Sequence, residues 1–257
     1  MATPKVLVLR APGTNCDFET ENAFARVGGA AQRLHVNRLL ENPHLLRDYQ
    51  ILCVPGGFSY GDDIAAGKVM AERMRNHLFE PLSEFRAADK LILGICNGFQ
   101  VLIKSGLLFA DPLGPTEATL TWNDNGRYES RWVSLAVDSQ RCVFLRGITS
   151  LYLPVAHAEG KFVFRSESEA RRLTDQGQIA LRYSQPQANG DVPYPYNPNG
   201  SQHHVAGICD PSGRVFGLMP HPERNIEPTH HPRWTREGLR EDGEGLQIFH
   251  NAVAYFG

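Results

Sequence analysis

The sequence predicts an α/β fold in which an open parallel sheet is covered by helices on both faces and extended by antiparallel strands. Two observations lead to this prediction. Over residues 5–105, short apolar runs alternate with helix-forming segments, a pattern typical of βαβ units. From about Thr119 onward, strand-like runs follow one another with little helix between them, which favours antiparallel pairing. We expect one domain over residues 1–257, because no linker, repeat or low-complexity segment interrupts the chain.

The first half is predicted to supply four buried parallel strands and the helices that connect them. Its apolar runs show no alternation with polar residues, as expected for strands that are covered on both faces. Glycine and proline close several of these runs, and Asp17 is expected to cap the first helix. The strands are predicted at residues 6–10, 31–36, 49–55 and 90–95, and the helices at residues 18–27, 65–85 and 99–105.

The second half is predicted to be mainly β structure. Residues 210–213 (Asp-Pro-Ser-Gly) form a good hairpin turn between the last two strands. Residues 191–200 are rich in proline, asparagine and glycine and are expected to be a long loop. The strands are predicted at residues 131–137, 150–155, 161–164, 178–183, 205–209 and 215–219, and the last helix at residues 244–255.

Composition limits the possible functions. The net charge of −2 gives no overall attraction to nucleic acid or to an anionic membrane. No apolar run approaches the roughly 20 residues of a membrane span, and the N-terminus lacks a signal-peptide pattern. Five cysteines without a C-x-x-C pair argue against disulfides and cysteine-based zinc sites, and the paired histidines at 203–204 and 230–231 lack a suitable partner. We expect a cytoplasmic protein without a metal.

The most informative motif follows the strand predicted at residues 90–95. Gly94, Cys96 and Gly98 form the pattern G-x-C-x-G at the passage from strand to helix, which is typical of a nucleophile elbow with cysteine in place of serine. The turn is tight, so glycine is needed where a Cβ atom would clash. The backbone N–H of Asn97 and the N-terminus of the following helix would favour an anion beside the sulfur.

Two other segments could complete a site for nucleophilic catalysis. His221 and Glu223 follow a strand and lie two residues apart, so in extended geometry both side chains point the same way. Such a pair could activate the thiol, because a carboxylate orients the histidine that takes its proton. His157 and Glu159 have the same spacing. The spacing leaves both pairs open, and the prolines that flank His221 favour the first pair because they stiffen the chain.

Six segments resemble the class I, or triad-type, glutamine amidotransferase family. They keep the family's order over nearly the whole chain. Two of them, residues 56–62 and 197–201, resemble in particular the glutaminase subunits of phosphoribosylformylglycinamidine synthase, an enzyme of purine biosynthesis. The resemblance implies a flavodoxin-like sheet. The matching segments are residues 12–17, 56–62, 94–100, 157–162, 197–201 and 220–224.

The resemblance also implies roles for individual residues. Cys96 corresponds to the nucleophile, His221 to the base and Glu223 to its orienter, which resolves the ambiguity between the two His-x-Glu pairs. Cys16 lies in a matching loop and is expected to have no direct catalytic role. The remaining implied site residues are Gly57 and Asn97 at the oxyanion hole and Gln100, His157 and Phe162 at the glutamine pocket.

The implied reaction hydrolyses L-glutamine to glutamate and ammonia through a Cys96 thioester. In the family, ammonia passes to a synthetase subunit that uses ATP and magnesium to convert formylglycinamide ribonucleotide to formylglycinamidine ribonucleotide. A small third subunit belongs to some of these complexes. This chain has no G-x-x-x-x-G-K-[ST] loop, so we expect no cofactor in it, and we expect low activity without the partner.

Three alternatives stay open. A cysteine hydrolase of the α/β-hydrolase type also uses an elbow, but that fold orders its triad as nucleophile, acid and histidine. Here the acid follows the histidine, which disfavours this alternative. A regulatory relative without catalysis could keep the same fold, although intact Cys96, His221 and Glu223 disfavour it. A related glutaminase could also supply ammonia to a different acceptor.

Overall fold

A computed structural model describes residues 3–185 and 190–257 of the chain. Residues 1–2 and 186–189 of the predicted domain lie outside this described part, and the single domain over residues 1–257 stays a prediction. The strands are β1 (Lys5–Arg10), β2 (Ala30–His35), β3 (Ile51–Val54), β4 (Leu91–Ile95), β5 (Ala118–Thr121), β6 (Glu129–Val137), β7 (Ser150–His157), β8 (Lys161–Phe164), β9 (Ile179–Ser184), β10 (Val205–Cys209) and β11 (Val215–Leu218). The α-helices are α1 (Asp17–Arg26), α2 (Val36–Glu41), α3 (Lys68–His77), α4 (Phe79–Ala87), α5 (Asn97–Ser105), α6 (Glu167–Asp175), α7 (Trp234–Glu237) and α8 (Leu246–Ala254).

The main sheet has a parallel half and an antiparallel half. Its order is β2-β1-β3-β4-β11-β10-β9-β6-β7, and every pair from β2 to β11 is parallel. The pairs from β11 to β7 are antiparallel. All residues of β3 and β4 are buried, which explains why their sequences are continuous apolar runs. The predicted fold class is therefore confirmed.

The last two strands of the parallel half of the sheet come from distant parts of the chain. β11 forms a hairpin with β10 through the predicted turn, where the N–H of Gly213 donates to the carbonyl oxygen of Asp210 at 2.9 Å. β11 is also parallel to β4. The carboxyl ends of β1, β3, β4 and β11 therefore meet at one edge, where open α/β sheets bind their ligands.

The antiparallel half curls back toward that edge. The N–H of His221, just after β11, donates to the carbonyl oxygen of Pro154 in β7 at 2.9 Å. The side chain of Asn225 donates to the carbonyl oxygen of Tyr152 at 3.0 Å. These bonds bring β7, which is last in the sheet order, against the segment that follows β11. The strand predicted at residues 161–164 forms, but it pairs with β5 in a separate two-stranded sheet.

The observed helices differ from the predicted ones in several places, and the short helices α2 and α7 were not predicted. The helix predicted at residues 65–85 is broken into α3 and α4, because the ring of Pro81 cannot follow an unbroken turn past the carbonyl of His77. The nine-residue helix α6 was missed, although Ser166 caps it by accepting a hydrogen bond from the N–H of Glu169. Asp17 is the first residue of α1 rather than its cap, and its carboxylate pairs with Arg10 at 2.7 Å.

None of the helices in residues 3–185 and 190–257 combines the length and apolar character that a membrane span requires.

Candidate active site

Cys96 occupies the tip of a strained turn between β4 and α5. Its backbone has φ +50° and ψ −105°, a conformation that a residue with a Cβ atom adopts only when its surroundings hold it. The N–H of Cys96 donates to the carbonyl oxygen of Leu218 at 2.8 Å, which ties the turn to β11. A Cβ atom on Gly98 would lie 1.8 Å from the carbonyl oxygen of Val54. The glycine is therefore required by the close approach of β3.

The substitution Gly98→Ala is expected to destabilise the fold by about 2–3 kcal/mol, because α5 must move away from the backbone of Val54. This cost exceeds the helix propensity of about 1 kcal/mol that alanine gains over glycine. Urea unfolding of both proteins measures the difference. Gly147→Ala is the control for an added methyl group, since no atom lies within 4 Å of the position that its Cβ atom would take. Only the strain of its left-handed backbone remains, at about 1 kcal/mol. Equal or higher stability of Gly98→Ala relative to the wild type would contradict the expectation.

His221 and Glu223 form a buried hydrogen-bonded pair. The His221 Nδ1 and Glu223 Oε1 atoms are 2.6 Å apart, and the residues are 2% and 1% exposed. The chain does not run extended through this pair, so the expected extended geometry is wrong. Instead, a 3₁₀ turn over Pro222–Arg224 brings the carboxylate back to the imidazole. The pair follows β11 directly and so lies at the same sheet edge as Cys96.

The charges around His221 favour its protonated form. Burial alone would lower the pKa of His221, but the carboxylate of Glu223 and the thiols of Cys96 and Cys16 outweigh burial and hold that pKa well above its usual range. The Nε2 atom of His221 is buried and has no hydrogen-bond partner among the described residues. The Cys96 sulfur lies 3.7 Å from the carbonyl oxygen of Ala156 in β7. The site thus combines a thiol, an imidazole and a carboxylate away from water.

Gly57 and Asn97 follow β3 and β4 at the same edge of the sheet, and their role at an oxyanion hole stays a prediction. Gly57 follows β3 and has φ +145°, and a Cβ atom there would lie 2.8 Å from the backbone of Asn15. Asn97 is the first residue of α5, whose first N–H groups have no partner within the helix. The N–H of Ser59 donates to the side-chain oxygen of Asn97 at 3.1 Å. This bond holds the loop after β3 against the elbow.

The predicted pocket residues Gln100, His157 and Phe162 are all buried. The Gln100 side chain donates to the carbonyl oxygen of Glu159 at 2.7 Å, which joins α5 to the segment after β7. The Phe162 ring stacks on Phe99 with centroids 6.3 Å apart. Gln100 and Phe162 thus hold the segment after β7 against the elbow helix. That these residues contact glutamine stays a prediction.

His157 is bonded to an asparagine and not to Glu159. The Asn123 amide donates to the carbonyl oxygen of His157 at 2.9 Å, so its oxygen faces the His157 Nδ1 atom at 3.2 Å. Nδ1 therefore carries a proton. The Glu159 carboxylate accepts the N–H of Ala66 at 3.2 Å instead. Of the two His-x-Glu segments, the one at residues 221–223 is joined as a pair in this structure.

His157 is expected to make the protein less stable at acidic pH. Burial, and then the neighbouring His221 charge, lower the pKa of His157 from 6.5 to about 3. Between pH 6.5 and pH 3 the unfolded chain therefore binds a proton at His157 that the folded chain does not bind. The free energy of unfolding falls as the pH decreases through this range. At pH 5 the loss is about 2 kcal/mol. His157→Asn keeps the donor to Asn123 but does not titrate. Urea unfolding at pH 7 and pH 5 should show a smaller loss in the variant, and equal losses would contradict the assignment.

Cys16 is a second thiol at the site, which the sequence analysis did not predict. It lies at the end of the loop after β1, and its sulfur accepts a hydrogen bond from the Arg224 Nη2 atom at 3.1 Å. Burial raises the pKa of Cys16 to about 11. A Cβ atom on Gly56 would lie 2.8 Å from the His221 ring and 3.0 Å from the Cys16 sulfur. Glycine at position 56 therefore lets thiol and imidazole pack together.

These features define an α/β protein with a cysteine elbow beside a buried histidine–glutamate pair. Comparison with known proteins gives the same class: the CobB/CobQ-like glutamine amidotransferase domain matches residues 3–256. The chain belongs to the class I glutamine amidotransferase family, as the six motifs suggested.

Particular relatives cover almost the whole chain. Phosphoribosylformylglycinamidine synthase subunit PurQ of Dehalococcoides mccartyi is 46% identical over 256 residues, which cover 99% of this chain and 98% of the relative. The subunit PurQ of Methanococcus maripaludis is 43% identical over 269 residues and covers 98% and 97%. Among solved structures, PurLQS from Thermotoga maritima contains a chain that matches with a TM-score of 0.75 and 30% identity over 100% of both chains.

Proposed function

We propose that this chain is the glutaminase subunit of a phosphoribosylformylglycinamidine synthase. It hydrolyses L-glutamine to glutamate and ammonia and supplies the ammonia for conversion of formylglycinamide ribonucleotide to formylglycinamidine ribonucleotide. The observation that carries the proposal is the Cys96 elbow beside the buried pair of His221 and Glu223. The identity to PurQ subunits supports the choice of acceptor.

The acylation step uses the three side chains in distinct roles. His221 takes the proton of the Cys96 thiol, and the thiolate attacks the side-chain amide carbon of glutamine. Glu223 keeps the Nδ1 proton of His221 in place and stabilises the imidazolium that forms. The imidazolium then gives its proton to the departing nitrogen, so ammonia leaves and a thioester remains. The raised pKa of His221 suits the first of these transfers, because it makes the imidazole a stronger base toward the thiol.

Hydrolysis of the thioester completes the cycle. His221 takes a proton from water, the hydroxide attacks the thioester carbon, and glutamate leaves as Cys96 regains its proton. Both steps develop negative charge on the former amide oxygen. The N–H groups of Gly57 and Asn97 are our candidates to bind that oxygen, since both residues follow neighbouring strands at the same sheet edge.

The glutamine pocket is bounded by the elbow helix and the segment after β7. Gln100 lies one helical turn after Cys96. His157 and Phe162 are 3% and 0% exposed, so we assign them the role of supporting the pocket wall. In this arrangement the backbone of residues 158–161 faces the substrate.

We further propose that a synthetase subunit holds ATP and magnesium and that a small third subunit completes the complex. This chain itself carries no cofactor, binds neither nucleic acid nor membrane and works in the cytoplasm. The solved PurLQS assembly of Thermotoga maritima supports a multi-subunit arrangement.

Exposed aromatic side chains beside the site suit a partner that covers it. Phe58 and Tyr128 are 43% and 50% exposed and stack with ring centroids 6.4 Å apart. Burial and then the nearby Cys96 thiol raise the pKa of Tyr128 above its usual range, so this ring lies close to the site.

Glutamate release is expected to rise at least about tenfold when the synthetase subunit, ATP and formylglycinamide ribonucleotide are added, because partner binding orders the covered site. The test measures glutamate and formylglycinamidine ribonucleotide in the same reaction, with Cys96→Ala as the matched inactive control. Glutamate without amidine would indicate another acceptor. No glutamate under any condition would indicate a regulatory relative. Full activity of the isolated chain would contradict the expected dependence on the partner.

A further inference from the structure

Cys16, His221 and Glu223 form a compact group of three different ligand types. One ligand atom from each residue lies within 4.8 Å of the other two. Cys16 and Glu223 are each 1% exposed, and His221 is 2% exposed. Cys96, the proposed nucleophile, is not a member of this group. The grouping was not expected from the sequence, which indicated no metal ligands.

The donor set suits a zinc-like ion. Thiolate, imidazole and carboxylate are the three ligands that zinc takes in proteins, with bonds of about 2.0–2.3 Å. The group also has an unused ligand atom: Glu223 Oε2 is buried without a hydrogen-bond partner among the described residues. A buried carboxylate oxygen in this state favours a cation or a donor beside it.

The surroundings of Cys16 support a thiolate ligand. Arg224 donates from Nη2 to the Cys16 sulfur at 3.1 Å and is held by Glu19, whose Oε1 lies 2.8 Å from the Arg224 Nε atom. An N–H donor aimed at a ligating sulfur is a typical supporting contact around metals. The Asn15 oxygen, 3.1 Å from the same sulfur, accepts the thiol proton in this structure and lies on an exposed residue that can turn away.

We propose that Cys16, His221 and Glu223 bind an inhibitory divalent ion of the zinc class. The ion replaces the thiol proton of Cys16, which passes to water, and takes the Nδ1 position between His221 and Glu223, so that the Nδ1 proton moves to Nε2. No electron is transferred. The ion separates the base from its orienting carboxylate, so Cys96 loses its proton acceptor while remaining chemically intact. The site is thus an off-switch and not a cofactor site, and chelation restores activity.

Cobalt(II) added to the full-length protein tests the site, because a cobalt–thiolate bond gives a charge-transfer absorption band. We expect the band in the wild type and in Cys96→Ala, and at least tenfold weaker cobalt binding in Cys16→Ser. Cys209→Ala, which removes a buried thiol elsewhere, is the matched control and should bind like the wild type. Loss of the band in Cys96→Ala, or its absence from the wild type, would overturn the proposal.

Inhibition supplies a second readout that separates Cys16 from the nucleophile. With the assembled enzyme, the zinc concentration for half inhibition is expected to rise at least tenfold in Cys16→Ser, each protein being compared with its own zinc-free rate. An unchanged concentration would overturn the proposal. If Cys16→Ser does not fold, the spectrum of Cys96→Ala decides alone: a retained band supports the site, and a lost band places the ion on the nucleophile. The spectra are independent of turnover, so a failure of the proposed function would not be mistaken for a failure of this site.

Discussion

Cys96→Ala is expected to reduce glutamine hydrolysis by at least about 10⁴-fold, because the thioester cannot form without the sulfur. Alanine keeps the Cβ atom, so the strain of the turn at φ +50° is the same in both proteins. The loss should therefore appear in kcat with the fold and the partner binding unchanged. Steady-state glutamate release by the assembled enzyme measures it, and circular dichroism checks the fold.

The matched comparison for this variant is the other thiol of the site. Cys16→Ala removes a sulfur of similar burial that contacts His221, but it leaves the elbow intact. We expect this variant to turn over glutamine measurably faster than Cys96→Ala. The reverse order of activities would mean that Cys16 is the nucleophile, and the assignment of the elbow would be wrong.

Glu223→Gln is expected to lower kcat by about 10²–10⁴-fold with little change in KM. The carboxylate accepts the Nδ1 proton of His221 at 2.6 Å and balances the imidazolium charge, whereas a neutral amide does neither as well. Glu223 acts through His221, to which its Oε1 atom is bonded. Its removal should affect the chemical step rather than substrate binding.

Glu159→Gln is the matched control, because Glu159 belongs to the alternative His-x-Glu segment and bonds the N–H of Ala66 instead of a histidine. A kcat within about tenfold of the wild type is expected for this variant. A larger loss in Glu159→Gln than in Glu223→Gln would return the role of orienting acid to residue 159.

The parallel half of the sheet could be predicted from the sequence because its signals are local. β1, β3 and β4 are continuous apolar runs that end near glycine or proline, and the hairpin turn between β10 and β11 is marked by its residues. The break between α3 and α4 was also marked, by Pro81, and the missed helix α6 by Ser166 and Glu169 in a capping pattern. Both errors concern helices whose boundaries are marked by local sequence patterns.

The curl of the antiparallel half could not be predicted in this way. The curl depends on the accumulated twist of several strands. No short sequence motif predicts this twist. This curl places Pro154 beside His221 and Ala156 beside Cys96. The return of β7 to the site, and with it the position of the segment after His157, therefore required the structure.

The candidate site contains the predicted residues Cys96, His221 and Glu223, whose roles stay predictions, and Cys16, which was not predicted. The elbow, the two glycines after β3 and the His-x-Glu segment each carry a visible pattern, so Cys96, Gly57 and His221 could be found. Cys16 lies in the loop after β1, which is next to β3 in the sheet. The rule that ligands bind at the carboxyl ends of the strands applies to that loop as well, and it was the signal that could have placed Cys16 at the site.

Covalent labelling with an electrophilic glutamine analogue tests the central assignment most directly, because the analogue marks the sulfur that attacks the substrate. After reaction with the assembled enzyme, peptide mass spectrometry should find one label per chain on Cys96, with glutaminase activity lost in proportion. Glutamine should protect against labelling, and His221→Ala should slow it. A label on Cys16 or on another cysteine, with Cys96 unmodified, would contradict the assignment of Cys96 as the nucleophile.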